Sequence, residues 1–230
     1  MKILPLKCKR CGQPLPGLPQ DVVFVCADCG MAFPFSFHLN LRQDVRGEQV
    51  DLDSPAARLI GEYEGRPDYR VFVWAEPHVG AQPCLPFWLF TVRPGFDTAD
   101  AQKKSRYEVL CRDLYPLVPA FNFHGLQYIG SPGQELSLDR RPLLADGHVP
   151  LRGAARDPFT AFVMAWHLIL RQADRLADIS NVTMSVRHTE TALVAVPFTV
   201  TGDRLMFPFS ERRYPVCYFD DLPALWQGED

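Results

Sequence analysis

Apolar and polar positions alternate with period two over residues 32–41. Phe33, Phe35, Phe37, Leu39 and Leu41 fall on one face, and Pro34, Ser36, His38 and Asn40 on the other. That period predicts a half-buried strand. Proline cannot donate to a ladder, so Pro34 predicts an edge strand or a bulge. Aromatic and β-branched runs bounded by turn residues predict further strands over 69–74, 85–92, 118–123, 126–129, 182–186, 192–200, 204–207 and 215–219. Residues 130–150 are rich in turn formers and read as a long excursion.

The period changes to 3.6 over 158–178. Phe159, Phe162, Val163, Trp166, Ile169, Leu170, Ala173 and Leu176 recur at helical spacing, with Arg171, Gln172, Asp174 and Arg175 opposite them. Asp157 is placed to cap this helix, with Pro158 at its first position. A shorter helix is predicted over 103–114. Residues 42–68 are charged and broken by glycine and proline. Within them Ser54-Pro55 predicts one or two helical turns up to Ile60, and the rest reads as linker. The pattern therefore predicts an α+β, mostly β chain. A small N-terminal unit occupies 1–41, a linker 42–68, and a sandwich- or barrel-like β-rich domain with one long amphipathic helix 69–230.

Proline recurs near the start of three aromatic segments, Leu85-Pro86-Phe87-Trp88, Val118-Pro119-Ala120-Phe121 and Val196-Pro197-Phe198. Two readings stay open: tolerance of proline at first strand positions and edges, or a duplicated hairpin unit. Twenty-one prolines in 230 residues is close to double the usual share, but sixteen phenylalanines and four tryptophans travel with them, which argues for order.

The chemistry is concentrated in the first thirty residues. Cys8 and Cys11, then Cys26 and Cys29, form two Cys-x-x-Cys pairs fourteen residues apart, each followed by glycine, Gly12 and Gly30. Thiolate sulfur is a preferred zinc donor, and two intervening residues let one tight turn aim both sulfurs at one ion. Glycine supplies the positive φ that such a turn often needs. Four thiolates leave no open coordination position, so one structural Zn2+ is expected, with iron in a similar knuckle as the alternative. On these motifs, residues 6–41 resemble a zinc ribbon. The fourteen-residue gap, at the short end for such pairs, permits only a small one. The resemblance covers about a sixth of the chain and implies a β-structured metal module. Zinc ribbons occur in transcription and translation factors, in enzyme subunits and as docking modules.

A net charge of −3 argues against a polycation. Lys7, Lys9 and Arg10 nevertheless flank the first knuckle and are candidate nucleic-acid contacts. Phe87 and Trp88 are candidate interface aromatics, with core filling as the alternative. The segment Met1-Lys2-Ile3-Leu4-Pro5 does not read as a signal peptide, and no apolar run is long enough to span a membrane, so a cytoplasmic protein is expected. No phosphate loop, dinucleotide fingerprint or nucleophile elbow is present. Cys84, Cys111 and Cys217 are expected to be buried, inert thiols. The function expected first is a non-enzymatic adaptor or accessory subunit with protein partners. Nucleic-acid binding comes second, and an enzyme with a site in the β-rich domain third.

Overall fold

The computed structural model of the chain describes residues 6–17, 21–34, 36–41, 57–62, 68–75, 83–123, 141–146, 151, 153–208 and 212–219. In 36–41 and 57–62 the description is confined to the backbone. The strands are β1 (Val23–Cys26), β2 (Met31–Pro34), β3 (Ser36–Leu41), β4 (Ala57–Glu62), β5 (Tyr69–Trp74), β6 (Cys84–Asp97), β7 (Leu117–Pro119), β8 (Leu144–Ala145), β9 (Gly153–Ala154), β10 (Thr183–Pro197), β11 (Thr199–Thr201), β12 (Arg204–Met206) and β13 (Arg213–Pro215). The helices are α1 (Ala101–Tyr107) and α2 (Pro158–Leu176). The chain is α+β, mostly β, and its main sheet curls into a half-barrel.

That sheet has eight strands in the order β7-β6-β10-β5-β2-β1-β9, with β8 also paired to β5. The β10–β5 pairing is parallel; the others in the sheet are antiparallel. Strand β6 is buried on both faces along its first half. In β6, Trp88, Phe90, Val92 and Phe96 join the core beneath α2, while Leu85, Phe87 and Leu89 join a second core with Phe198, Leu205, Phe207 and Tyr214, from the region of the small β11-β12-β13 sheet. A strand covered on both sides reads as a continuous apolar run, and residues 85–90 are all buried. Phe87 and Trp88 have no exposed surface. They are core residues, which corrects their reading as interface aromatics.

Other expectations change. Residues 57–62 are strand β4, paired with β3, so the helical turns expected up to Ile60 do not form there. The strands expected over 182–186 and 192–200 are mostly one, β10, running through a bulge between His188 and Glu190 and ending at Pro197. The strand expected over 215–219 is β13 followed by a 3-10 turn at Val216–Tyr218. Pro119 and Pro197 end their strands rather than begin them, and Pro86 lies inside β6. All three prolines still gather at one end of the sheet, where Phe87 faces Pro119 and Cys84 faces Pro197. The expected strand over 126–129 and most of the excursion over 130–150 lie outside the described residues.

The long helix forms where expected. Asp157 Oδ1 accepts from the N–H groups of Phe159 (2.9 Å) and Thr160 (3.0 Å), and its Oδ2 accepts from the Thr160 hydroxyl at 2.6 Å. Its buried stripe is Ala161, Ala165, Ile169 and Ala173, whereas Phe159 is 75% exposed and Val163 is exposed too. The sheet beneath carries Trp88 and Phe90, so the helix meets it with small side chains and its larger ones flank the seam. Asp157→Ala is expected to cost about 1 kcal/mol of stability, read as a lowered thermal midpoint.

Asp178, beyond α2, ties the two helices together. Its Oδ1 accepts from Ser180 N–H (3.0 Å) and Oγ–H (2.7 Å), and its Oδ2 from Lys103 Nζ at 3.2 Å. The Ser180 N–H and hydroxyl, then Lys103, hold its carboxyl down at about 2. A depressed carboxyl stabilises the fold above its unfolded pKa of about 3.9, and that contribution is lost as pH falls through the folded value. A carboxyl-carbon NMR titration is expected to place the Asp178 midpoint near 2, and Ser180→Ala to move it upward.

Candidate metal centre

The first knuckle is a tight hairpin. Lys7 pairs with Pro14, and the N–H of Leu15 donates to the Leu6 carbonyl at 2.9 Å. The N–H of Cys8 donates to the Gln13 carbonyl at 2.7 Å, and that of Gly12 to the Cys8 carbonyl at 2.8 Å. The second knuckle is the turn between β1 and β2, where the N–H of Gly30 donates to the Cys26 carbonyl at 3.0 Å. Gly12 (φ 78°) and Gly30 (φ 63°) both take the left-handed conformation expected of them.

The turns bring the four sulfurs of Cys8, Cys11, Cys26 and Cys29 within 4.8 Å of one another. Cys8 lies 3.6 Å from Cys29, and Cys11 3.4 Å from Cys26. Sulfurs at about 2.3 Å from a tetrahedral ion stand about 3.8 Å apart, whereas a disulfide brings them to about 2 Å. The spacing suits a metal, and the thiols are free. Cys8 and Cys26 are buried with Leu15, Met31 and Phe33 in a small core of their own.

The electrostatics call for a cation. Burial alone would raise the Cys8 thiol. Backbone N–H groups of Cys11 and Arg10, with the neighbouring thiols, outweigh it and bring Cys8 down to about 7. Burial, then the Cys26 and Cys8 sulfurs, push Cys29 up to about 12. At Cys11 the Gln13 N–H is favourable, but burial and the sulfurs of Cys26 and Cys8 prevail, and its thiol is raised. Four adjacent sulfurs cannot all lose their protons without a positive charge among them. A bound metal ion would supply it and displace those protons.

The hairpin carrying Cys26 and Cys29 extends the main sheet. β2 pairs with β5 through Met31–Arg70 and Ala32–Tyr69, and β1 pairs with β9. The Gly30 carbonyl accepts from Val71 N–H at 2.9 Å. Val23, Val25 and Ala32 belong to the main core. The sheet therefore runs across the boundary drawn at residue 41.

The basic residues Lys7, Lys9 and Arg10 are all exposed. Lys9 is engaged: its Nζ pairs with Asp68 and lies 5.5 Å from the centre of the Phe33 ring. It fastens the first knuckle to the approach of β5, a role the sequence did not signal. Cys111 and Cys217 are exposed, against expectation. Cys84 is partly buried, and burial pushes its thiol up to about 11. Among the described residues no other group of three or more His, Cys, Asp or Glu side chains converges as these cysteines do. Nor is any helix there long and apolar enough to cross a membrane. No protein-family model matches the chain, and comparison with curated proteins and with solved structures gives no match.

Proposed function

We propose that this chain is a non-enzymatic adaptor or accessory subunit, with one structural Zn2+ held by Cys8, Cys11, Cys26 and Cys29 in a ribbon-like module, that docks on a larger protein assembly in the cytoplasm. The observation that supports it is the closed set of four sulfurs, two of them carried by the β1–β2 hairpin of the main sheet. Four protein ligands leave no coordination position for water or substrate. The metal then acts on folding, and what it stabilises is a surface. Exposed apolar side chains such as Val109 and Val163 give that surface places to be covered.

The test is affinity capture of the tagged chain from its host, with and without nuclease, followed by mass spectrometry. A defined protein complex that survives nuclease supports the adaptor reading. Partners that vanish with nuclease shift the function to nucleic acid, the second reading, which rests on exposed Lys7 and Arg10 beside the first knuckle. On that reading binding weakens steeply with salt, and Lys7→Ala with Arg10→Ala reduces the salt slope by about two. An empty capture removes the adaptor reading and turns attention to enzyme assays.

A further inference from the structure

The bulge in β10 builds a second site, separate from the metal. Before it, Met184 and Val186 pack against the α2-side core; after it, Leu193 and Ala195 do so. The register shift between His188 and Glu190 makes Thr189 the extra residue, with His188 opposite Val92 and Glu190 opposite Thr91. An extra residue reverses the parity of a strand. His188 and Thr191 consequently meet on the α2 side, with Thr191 Oγ1 2.7 Å from His188 Nε2. The bulge is pinned from outside. Thr189 Oγ1 donates to the Thr91 carbonyl at 3.2 Å, and Arg141 donates to both carboxylate oxygens of Glu190 at 3.1 and 2.9 Å.

His188 Nε2 also lies 2.9 Å from the Glu190 carbonyl oxygen. A carbonyl only accepts, so a hydrogen bond there requires Nε2 to donate, with the Thr191 oxygen accepting beside it; in that neutral tautomer Nδ1 is an acceptor. No hydrogen bond to Nδ1 is formed among the described residues. The ring is oriented by Phe162, 5.2 Å away, and by Phe90, 6.1 Å away.

These side chains border a cleft of about 330 Å3 between the sheet and the first two turns of α2, lined by Tyr69, Phe90, Phe159, Phe162, His188 and Thr191, with Pro34 and Pro158. The volume lies at the small end of ligand pockets, about 300–1,000 Å3, and suits a one- or two-ring molecule. Phe90, itself buried, meets Phe162 edge-to-face at 72° and fixes that half-buried ring at the cleft wall. Phe159, 75% exposed at the rim, has an apolar ring that a ligand would cover. The lining contains no Asp, Glu, Lys or Arg side chain, and Glu190, on the other face of β10, is paired with Arg141.

We propose that this cleft binds a small, uncharged, planar aromatic molecule with one N–H or O–H donor, of the indole or phenol class, its donor directed at His188 Nδ1. This goes beyond the adaptor reading and does not depend on it.

The full-length, metal-loaded protein is titrated with indole while the aromatic and imidazole side-chain signals are followed by NMR. Saturable shifts are expected at Phe159, Phe162 and His188, and 1-methylindole, which has the ring but no donor, is expected to bind about tenfold more weakly. Phe159→Ala, a change at an exposed position that leaves folding intact, is expected to weaken indole at least about tenfold. His188→Phe is expected to abolish the preference for indole over 1-methylindole. Absence of saturable shifts up to the solubility of indole overturns the site. Equal binding of the two probes to the unsubstituted protein, or unaltered indole binding by Phe159→Ala, overturns the assigned ligand geometry.

Discussion

Cys26→Ser is expected to lose the metal and to lower the stability of the whole chain, not of its first forty residues alone. Cys26 is buried at the end of β1, and its loss breaks a four-sulfur set at the position least open to a substitute ligand. Formation of a small structural zinc site contributes on the order of 10 kcal/mol. A domain as a whole is stable by about 5–15 kcal/mol. The two magnitudes are comparable, so what matters is whether the site is coupled to the rest of the fold. Val23, Val25 and Ala32 lie in the same core as Trp88, Leu193 and Ile169, and Gly30 is bonded to Val71. Releasing the hairpin opens that core. Elemental analysis should show one metal per chain falling to near zero, and the main thermal transition should shift downward or lose cooperativity. Retained metal would remove the ligand assignment. Metal loss with an unaltered main transition would show that the hairpin is not coupled to the core.

The second large effect is expected at Trp88. It has no exposed surface, its Nε1–H donates to the Arg156 carbonyl at 2.8 Å, and Tyr69 meets it edge-on at 5.2 Å. That bond joins β6 to the chain entering α2. Trp88→Ala removes a large side chain from a packed interior and is expected to cost about 3–5 kcal/mol. Trp88→Phe keeps most of the apolar volume and loses the hydrogen bond, and is expected to cost about 1–3 kcal/mol. Denaturant midpoints of the three proteins measure both. An ordinary midpoint for Trp88→Ala would mean that the residue lies at the surface.

The sequence made some elements plain because their signals are local. Asp157-Pro158 marks the start of α2 by cap chemistry, and the cysteine spacing with Gly12 and Gly30 marks both knuckles. What it could not show depends on partners distant in the chain. Phe87 and Trp88 carry the same residue types whether a strand is covered on one face or two; α2 over one face buries Trp88, and the region of the small β-sheet over the other buries Phe87. Residues 54–60 carry a helix-start signal, yet 57–62 pair with β3, and that pairing outweighs the local preference. The polar run Arg187-His188-Thr189-Glu190-Thr191 looks like a break between two strands. It is one strand whose residues there face water on one side and a cleft on the other, so the apolar alternation that would reveal it is missing. The cleft left no motif, because Tyr69, Phe90, Phe162 and His188 come from four segments and converge only in the folded chain.

The parallel contact between β5 and β10 also bears on how the chain reaches its fold. Val71 sits opposite Leu193, more than a hundred residues later, and β5 lies between β10 and the metal hairpin. The knuckles need only the first thirty residues and an ion, and can close early around local contacts. The strand that unites them with the rest of the sheet stays half-paired until 183–197 arrives. Closing so long a loop is entropically costly and slow. Both neighbours of β10, β5 on one side and β6 on the other, therefore depend on the final third of the chain for their pairing, and the sheet is complete only once that segment has folded onto them.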